Sequence, residues 1–521
     1  MRPPAIVELE VPQRSGDVLC VPSGPELLSV ARANAAALQS VSVRIAGSSL
    51  PEFRALTRAR VLAAAAEFTT ATGIPFAGHP GGGPLVITGH QPFFFHPGIW
   101  IKHLLVDRLA DIGAVGLSIP VDSDSFEEIG MDVPVMDGRL RQIRETLFTA
   151  PADVPFEAHP APAPAVWETF VSRVGRALGT LPTGDAAQAF AAFAALAPAP
   201  GMAGIGEFIT IARRSYEGTR RYFELPVSRV SETEEFRRFV LHVVGSAERF
   251  ADVYNRRLHE YRNRANIRTA AQPFPDLDVI DDCVEVPFWV IRGGRRRPLY
   301  VRRAGGVLRL MVGTTEVGAV ARQIPDELEG LAIRPRALTL TAFIRLCAAD
   351  LFVHGVGGGR YDHVTDAVIR EFFGVEPPRY AVATATLHLP VGPPDMGAEL
   401  QRLRRRLLEL QHNPERILRD PSSAQRALIE EKWALIRTID GGLLGRRARR
   451  EATQRIRTVN EILAAALGAE RSETEQTLAA LHGAGEAEAA ATARTYPFCF
   501  FPPSAVDSLV AAQFAEPVRE R

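Results

Sequence analysis

The sequence predicts an α/β protein: a parallel-sheet core with a helical insertion, followed by a helical arm near the C-terminus. Two observations predict the sheet. The apolar run "LVIT" (85–88), the helical stretch 98–111 and the second apolar run "AVGLSIPV" (114–121) make a strand–helix–strand unit, the connection that parallel strands require. "LFVHGVGGG" (351–359), followed by "YDHVTDAVIREFF" (361–373), repeats the passage from strand to helix. The third observation predicts the arm: Leu400, Leu403, Leu407 and Leu410 follow the 3-4-3 spacing of an apolar helix seam.

Taken in order, residues 1–50 hold short apolar runs and turn residues that specify little. Residues 51–72 carry alanine and leucine at helical spacing. "LVIT" follows the turn "HPGGGP", and the connector "PADVPFEAHPAPAPA" (151–165) has too many prolines for a regular helix or a central strand. Residues 166–265 read as helical, with "AAQAFAAFAALAPAPG" as a helix and then a loop. "DVIDDCVEVPFWVIRGGRRRPLYVRR" (278–303) reads as strands around a "GG" turn, and "YAVATATLHL" (380–389) alternates as a strand does.

After the hinge "PVGPPDMG" (390–397) the texture becomes helical, with a second seam at Ile456, Val459, Leu463 and Ala466 and apolar residues at Leu428, Ile429, Trp433 and Ile436 between the two. Breaks are expected near Pro414, Pro421 and "DGG" (440–442). The expected domains are a core at 1–394 with its insertion at about 155–265, an arm at 395–485, and a tail at 486–521. The tail's "TYPFCFFPPSAVDSLVA" is apolar enough to pack back on the core.

Composition narrows the function classes. The chain has 521 residues, is 46% hydrophobic and 23% charged, and has no formal net charge. It can bury a large core, and its overall charge argues for neither nucleic acid nor a membrane surface. No apolar run reaches the length of a membrane span, and the N-terminus lacks a signal-peptide core. Cys20, Cys283, Cys347 and Cys499 form no CxxC and are expected as free thiols, which fits a reducing cytoplasm. Lysine occurs only at Lys102 and Lys432.

Three constellations carry candidate chemistry. In "TGHQPFFFHPGIWIK" (88–102) the strand-to-helix turn brings Gly89, His90, Gln91, His96, Gly98 and Lys102 to the carboxyl edge of a strand, where α/β sheets bind ligands. The helix amides suit an anion, the histidines suit acid–base work, and Lys102 lies close enough to approach the same anion. In "PVDSDSFEEIG" (120–130), Asp122, Asp124, Glu127 and Glu128 follow a strand. They suit a divalent ion, a substrate amine or hydroxyl, or an ordinary helix start. In "HGVGGGRYDHVTDAVI", Gly357, Gly358 and Gly359 read as an anion-cradling loop after His354, with Tyr361 and Asp362 beside it and Arg334, Arg336 and Arg345 upstream to supply positive charge. The loop is neither a Walker A motif nor a GxGxxG fingerprint. On the arm, basic residues outnumber acidic ones; this fits either a solvated face or a nucleotide-phosphate site around Arg446, Arg447, Arg449 and Arg450.

In order, these pieces resemble the bacillithiol biosynthesis cysteine-adding enzyme family. Its T-G-Q-Q-x-G-L-F-x-G-P-L-Y-T-x-x-K loop is similar to "TGHQPFFFHPGIWIK", and its strand ending in S-E-D-H-D-F-x-E is similar to "PVDSDSFEE". Its R-P, strand and G-G-P-x-E-x-x-Y order is similar to "RPRALTLTAFIRLCAADLFVHGVGGGRYDHV", with "FFGVEPPRY" following. The likeness runs from about residue 84 to 470. It implies a Rossmann-like core with helical insertions, a coiled-coil arm, and ligation of cysteine to a glucosamine-malate acceptor. It places Gly89, His90, Gln91, Gly98 and Lys102 in the cleft, Asp122 and Asp124 at the family's glutamate and histidine, and Gly357, Gly358, Gly359, Tyr361 and Asp362 in the glycine loop. The chain departs from the family at His90, which replaces the first glutamine of the Q-Q pair, and at Asp122–Ser125, which replaces E-D-H-D without its histidine. Such changes fit an altered substrate.

The leading expectation is therefore a cytoplasmic carbon–nitrogen ligase acting on a small molecule. His90 or His96 would serve the transferring group, Asp122 or Asp124 would orient the acceptor amine, and ATP or another nucleotide would activate the carboxyl. The alternatives are a sugar-nucleotide transferase with a divalent ion on Asp122-Ser123-Asp124, and a non-catalytic scaffold or small-molecule sensor that dimerises through its arm.

Overall fold

Two buried runs, Leu85–His90 and Leu351–His354, lie side by side in parallel at the centre of the protein, with Val86 opposite Leu351 and Thr88 opposite Val353. The computed structural model describes residues 9–79, 81–198, 204–265, 267, 274–391, 397–440, 446–480 and 482–515. The central sheet has six strands: β1 (Val18–Val21), β2 (Leu85–His90), β3 (Val115–Pro120), β4 (Tyr222–Glu224), β5 (Leu351–His354) and β6 (Ala381–Ala385), in the order β1-β6-β5-β2-β3-β4. All neighbours are parallel except the antiparallel edge pair β1–β6.

Helix α1 (Pro97–Asp111) joins β2 to β3, and helix α2 (Val356–Val368) leads from β5 towards β6. Side chains alternate across β2. Leu85 and Ile87 enter the layer that holds Val364 and Val368 of α2, whereas Val86 enters the layer that holds Trp100 and Leu104 of α1. From β2 the chain steps one way across the sheet, and from β5 it steps the other way. The order thus reverses between β2 and β5, and the crevice past the carboxyl ends of such a pair is where open α/β sheets hold ligands.

Around this sheet the chain adds antiparallel structure that the sequence reading had not separated from the core. A hairpin pairs Glu128–Asp137 with Arg139–Thr149, turning at Gly138 with φ 67°. A second sheet runs through Cys283–Arg292, Arg295–Ala304, Val307–Val312 and Thr315–Val320, with Ile333–Pro335 at one edge. Its expected "GG" turn is Gly293-Gly294, both at positive φ. The segment at about 155–265 is not wholly an insertion. It is mostly helical, but Tyr222–Glu224 returns to the central sheet as β4, too short a strand to show a period of two. The expected glycine loop at 357–359 is also corrected: these residues form the first turn of α2.

Beyond residue 397 the chain forms the helices Gly397–His412, Ser423–Asp440, Arg446–Ala465 and Gly468–Ala480, and then His482–Ala491, which packs on the Arg139–Thr149 strand. Leu403, Leu410, Val459 and Leu463 are buried, and the side chain of Leu400 lies outside the described residues. The chain then returns to the core, where Tyr496, Phe498, Cys499, Phe500 and Phe501 are buried with the aromatics of α1, and Pro503–Phe514 packs on α1. Among the described residues no helix is long and apolar enough to cross a membrane.

Candidate functional site

A cleft of about 580 Å³ opens at the carboxyl ends of β2 and β5. Its floor is Gly89, His90, Gln91, His354 and Gly355. One side is the N-terminal turn of α1, with His96, Gly98 and Lys102. The other is the first turn of α2, with Val356, Gly357 and Gly358. The antiparallel sheet closes it with Trp289, Arg296 and Arg336. Three segments far apart in sequence, around residues 90, 124 and 357, therefore meet at one place.

Glycine is required where backbones crowd. A Cβ on Gly98 would stand 2.4 Å from the Ala385 carbonyl oxygen and 2.8 Å from an Arg494 nitrogen, so only glycine lets α1 begin against the end of β6. In α2, a Cβ on Gly359 would meet Val382 at 2.4 Å and one on Gly358 would meet His354 Nδ1 at 2.8 Å, whereas one on Gly357 would meet nothing within 4 Å. Gly358 and Gly359 thus allow helix–sheet packing, and Gly357 leaves the backbone open to the cleft.

The two histidines of the first motif are held neutral in complementary forms. Burial, Lys102 and His96 lower His90 to about 3, although its contact with Gln91 works the other way. Its Nδ1 lies 3.0 Å from the Gln91 carbonyl oxygen; that oxygen can only accept, so Nδ1 bears the proton and Nε2 keeps its lone pair. Burial, Arg494 and Lys102 lower His96 to about 4. Its Nδ1 accepts the Gly98 N–H at 3.0 Å and caps α1, which leaves the proton on Nε2. The cleft thus carries one nitrogen that accepts a proton and one that donates.

Lys102 is 2% exposed and donates to the Gly89 carbonyl oxygen at 2.9 Å. Burial lowers it to about 7, and among the described residues no carboxylate lies within ion-pair distance. The opening amides of α1 do not provide the expected anion site. Pro97 has no N–H, Gly98 donates to the His96 ring, and Ile99 and Trp100 donate to the His96 carbonyl.

Asp124 faces the cleft, where it accepts from Gln91 Nε2 at 2.9 Å and pairs with Arg296 at 2.7 Å. Asp122 turns away into a neighbouring recess with Glu157, Glu232 and Arg334, and accepts from the backbone N–H and hydroxyl of Ser228. Burial and the nearby Glu157 raise it to about 7. The paired-carboxylate metal reading is thereby corrected, since the two carboxylates serve different recesses. Among the described residues, no three His, Cys, Asp or Glu side chains gather to hold a metal ion.

Further expectations are revised. Arg334 is spent on Glu157 and Glu232 beside Asp122, at 2.9 Å from each. Arg345 is 2% exposed and pairs with Asp362 at 2.6 Å and Asp366 at 2.7 Å. Asp362 is a buried support: its carboxylate lies 2.9 Å from His354 Nε2, and although burial opposes its charge, Arg345 and His354 hold its carboxyl well below the usual range. Tyr361 packs edge-on against Tyr261 and Phe274, and Gly359 packs on Val382. Arg449 and Arg450 line a shallow recess with other residues of their own helix, and the side chains of Arg446 and Arg447 lie outside the described residues.

Among the cleft residues that sequence reasoning missed are Trp289, Arg296, Arg360, Thr384 and Arg494. Arg296 and Arg336 lie over the Trp289 ring, with guanidinium carbons 5.0 and 4.0 Å from its centroid. Arg494 returns from beyond the arm to donate to the Ala385 carbonyl at 2.9 Å and to the Thr384 hydroxyl at 3.2 Å. Arg296 lies in the "GGRRRP" run, which sequence reasoning read only as strands around a "GG" turn. No known family model and no curated protein matches the chain.

Proposed function

We propose that the cleft is the active site of an enzyme that joins an amino acid to a small polar acceptor, the reaction class of the cysteine-adding family that the motifs resemble. One observation carries this reading: the three stretches on which the resemblance rests meet at a single cleft, at the reversal point of the sheet. On this reading the core is a divergent Rossmann-like unit and the arm a coiled coil that pairs two copies. The enzyme acts in the cytoplasm, where its four free cysteines stay reduced.

Amide formation needs a proton removed from the attacking amine and negative charge stabilised on the acyl group. On this reading His90 Nε2 accepts the amine proton, and His96 Nε2–H donates to the developing oxyanion, while the group that activated the carboxyl leaves. Lys102 neutralises the carboxylate or its activated form. Asp124, fixed between Gln91 and Arg296, takes the acceptor amine in place of Asp122.

The test incubates the purified chain with cysteine, an amino-sugar acceptor and ATP, and follows the amide product by mass spectrometry. A product lost in His90→Ala and His96→Ala is the expected result. Metabolite profiles with and without the protein supply the cellular counterpart. If low-molecular-weight thiols stay unchanged and a His90→Ala, Lys102→Ala double variant complements a deletion strain fully, the protein is a non-catalytic binder and this reading fails.

A further inference from the structure

We infer that the ligand group bound between Lys102 and the first turn of α2 is a phosphate or diphosphate. The inference rests on the cleft being the substrate site and adds the chemical class of its anion.

The charge balance of the walls comes first. Five cations line the cleft: Lys102, Arg296, Arg336, Arg360 and Arg494, against one carboxylate, Asp124. Arg296 is spent on Asp124, and Arg336 on Glu285 behind the wall. The other three contact only uncharged oxygens: Lys102 the Gly89 carbonyl, Arg360 the Leu9 carbonyl at 2.6 Å, and Arg494 the Ala385 carbonyl and the Thr384 hydroxyl. Three basic side chains therefore lack a carboxylate partner among the described residues. Lys102 is almost wholly buried, where an uncompensated ammonium is costly.

The backbone of α2 comes second. Its first helical hydrogen bond is Gly359 N–H to Gly355 O. The amides of Val356, Gly357 and Gly358 precede it and have no intrahelical acceptor. All three residues line the cleft, no side chain caps the helix, and Gly357 presents bare backbone. Lys102 reaches the neighbouring strand end from the opposite face of the sheet: it holds Gly89, one residue beyond the Thr88–Val353 pair, and β5 runs on from Val353 through His354 and Gly355 into those amides.

A single carboxylate brings one charge and two oxygens. A dicarboxylate separates its charges by several ångströms. A phosphate monoester brings about two charges on three oxygens in one compact group, which matches an ammonium, two guanidiniums and three adjacent amides. The phosphate site belongs to this cleft and not to the arginines of the arm.

Calorimetry on the full chain at pH 7 and low salt tests this with inorganic pyrophosphate, inorganic phosphate and succinate. The expected result is one pyrophosphate per chain, bound at least tenfold more tightly than succinate. Affinity should fall at least tenfold in Lys102→Met and in Arg494→Ala, and stay unchanged in Arg449→Ala. Thermal melts establish that each variant is folded, and Gly357→Ala, whose added methyl meets no protein atom, should weaken binding without lowering the melt. Equal binding of succinate, undiminished binding by a folded Lys102→Met, or loss of binding in Arg449→Ala would overturn the inference. Pyrophosphate binding without ligation sinks only the proposed reaction; ligation without pyrophosphate binding sinks only this inference.

Discussion

The chain has two lysines, one in the arm and one in the core, and both are buried to almost the same degree, Lys432 at 1% and Lys102 at 2% exposure. Their surroundings differ in kind. Lys432 donates to the His412 carbonyl at 2.8 Å and sits 2.8 and 3.0 Å from the two carboxylate oxygens of Glu415, so its charge is cancelled inside the fold. Lys102 has one carbonyl partner and, among the described residues, no carboxylate. The first arrangement needs nothing further. The second holds a charge that folding alone does not balance, in the place where the sheet opens to solvent. A buried cation that is satisfied is part of the structure, and one left unsatisfied beside a cleft marks what the cleft receives.

The largest expected effect tests the satisfied lysine. Lys432→Met leaves Glu415 buried without its partner and should destabilise the arm by roughly 3–5 kcal/mol, read as a lowered urea midpoint, while pyrophosphate binding at the cleft stays intact. If the arm keeps its stability, the contrast between the lysines is false.

The second effect has the opposite sign. The folded-state pKa of Lys102 lies near 7, below its unfolded value of 10.5. Below pH 7 both states carry the proton and the folded state bears the full cost of the buried charge. Between pH 7 and 10.5 the unfolded state binds more protons, so stability rises with pH and the cost fades. Lys102→Met should therefore stabilise the protein by roughly 3–5 kcal/mol at pH 6, with the gain vanishing towards pH 10.5, and should lose anion binding. Melts of both forms across that range check this.

A third prediction follows from the same group. Near pH 8 the free protein holds Lys102 mostly neutral, so binding of an anion should take up close to one proton. This is seen as a binding heat that varies with the ionisation enthalpy of the buffer, and the variation should disappear in Lys102→Met.

Asp122 gives a smaller effect. Its folded pKa, raised to about 7, means that the cost of its charge is in force above pH 7 and is relieved as pH falls from 7 towards 3.8. Asp122→Asn should raise stability at pH 8 by about 1 kcal/mol and leave pyrophosphate affinity unchanged, because the side chain faces the other recess. A loss of affinity would return Asp122 to the cleft. The smallest effect is Arg450→Ala on the exposed arm, within about 0.5 kcal/mol.

Much of the fold was legible wherever a period ran long enough. The β2–α1–β3 unit lies where spacing indicated, and the chain beyond residue 397 is helical as its texture indicated. The three-residue β4 was not legible, since a strand that short leaves no alternation, and neither was the helical state of Gly357–Gly359, because glycine disfavours a helix in isolation and only packing against His354 and Val382 places it there. At the site, the first motif was readable because its polar groups crowd a strand end. The directions of Asp122 and Asp124 were not, because two residues on one short loop part company only through partners, Ser228 and Arg296, supplied more than a hundred positions away. Arg494 carried no local signal at all, since its role exists only after the chain comes back.

That return has a consequence. The arm departs just after β6 and comes home with Arg494 clasping the end of the same strand. The helix before Arg494, His482–Ala491, is seated on the Arg139–Thr149 strand through contacts that include the Arg139–Glu486 ion pair, so the end of the helical excursion, the hairpin and the cleft wall meet around one guanidinium. A change in how that last helix seats on the hairpin would therefore be felt in the pocket through Arg494 and its two partners on β6.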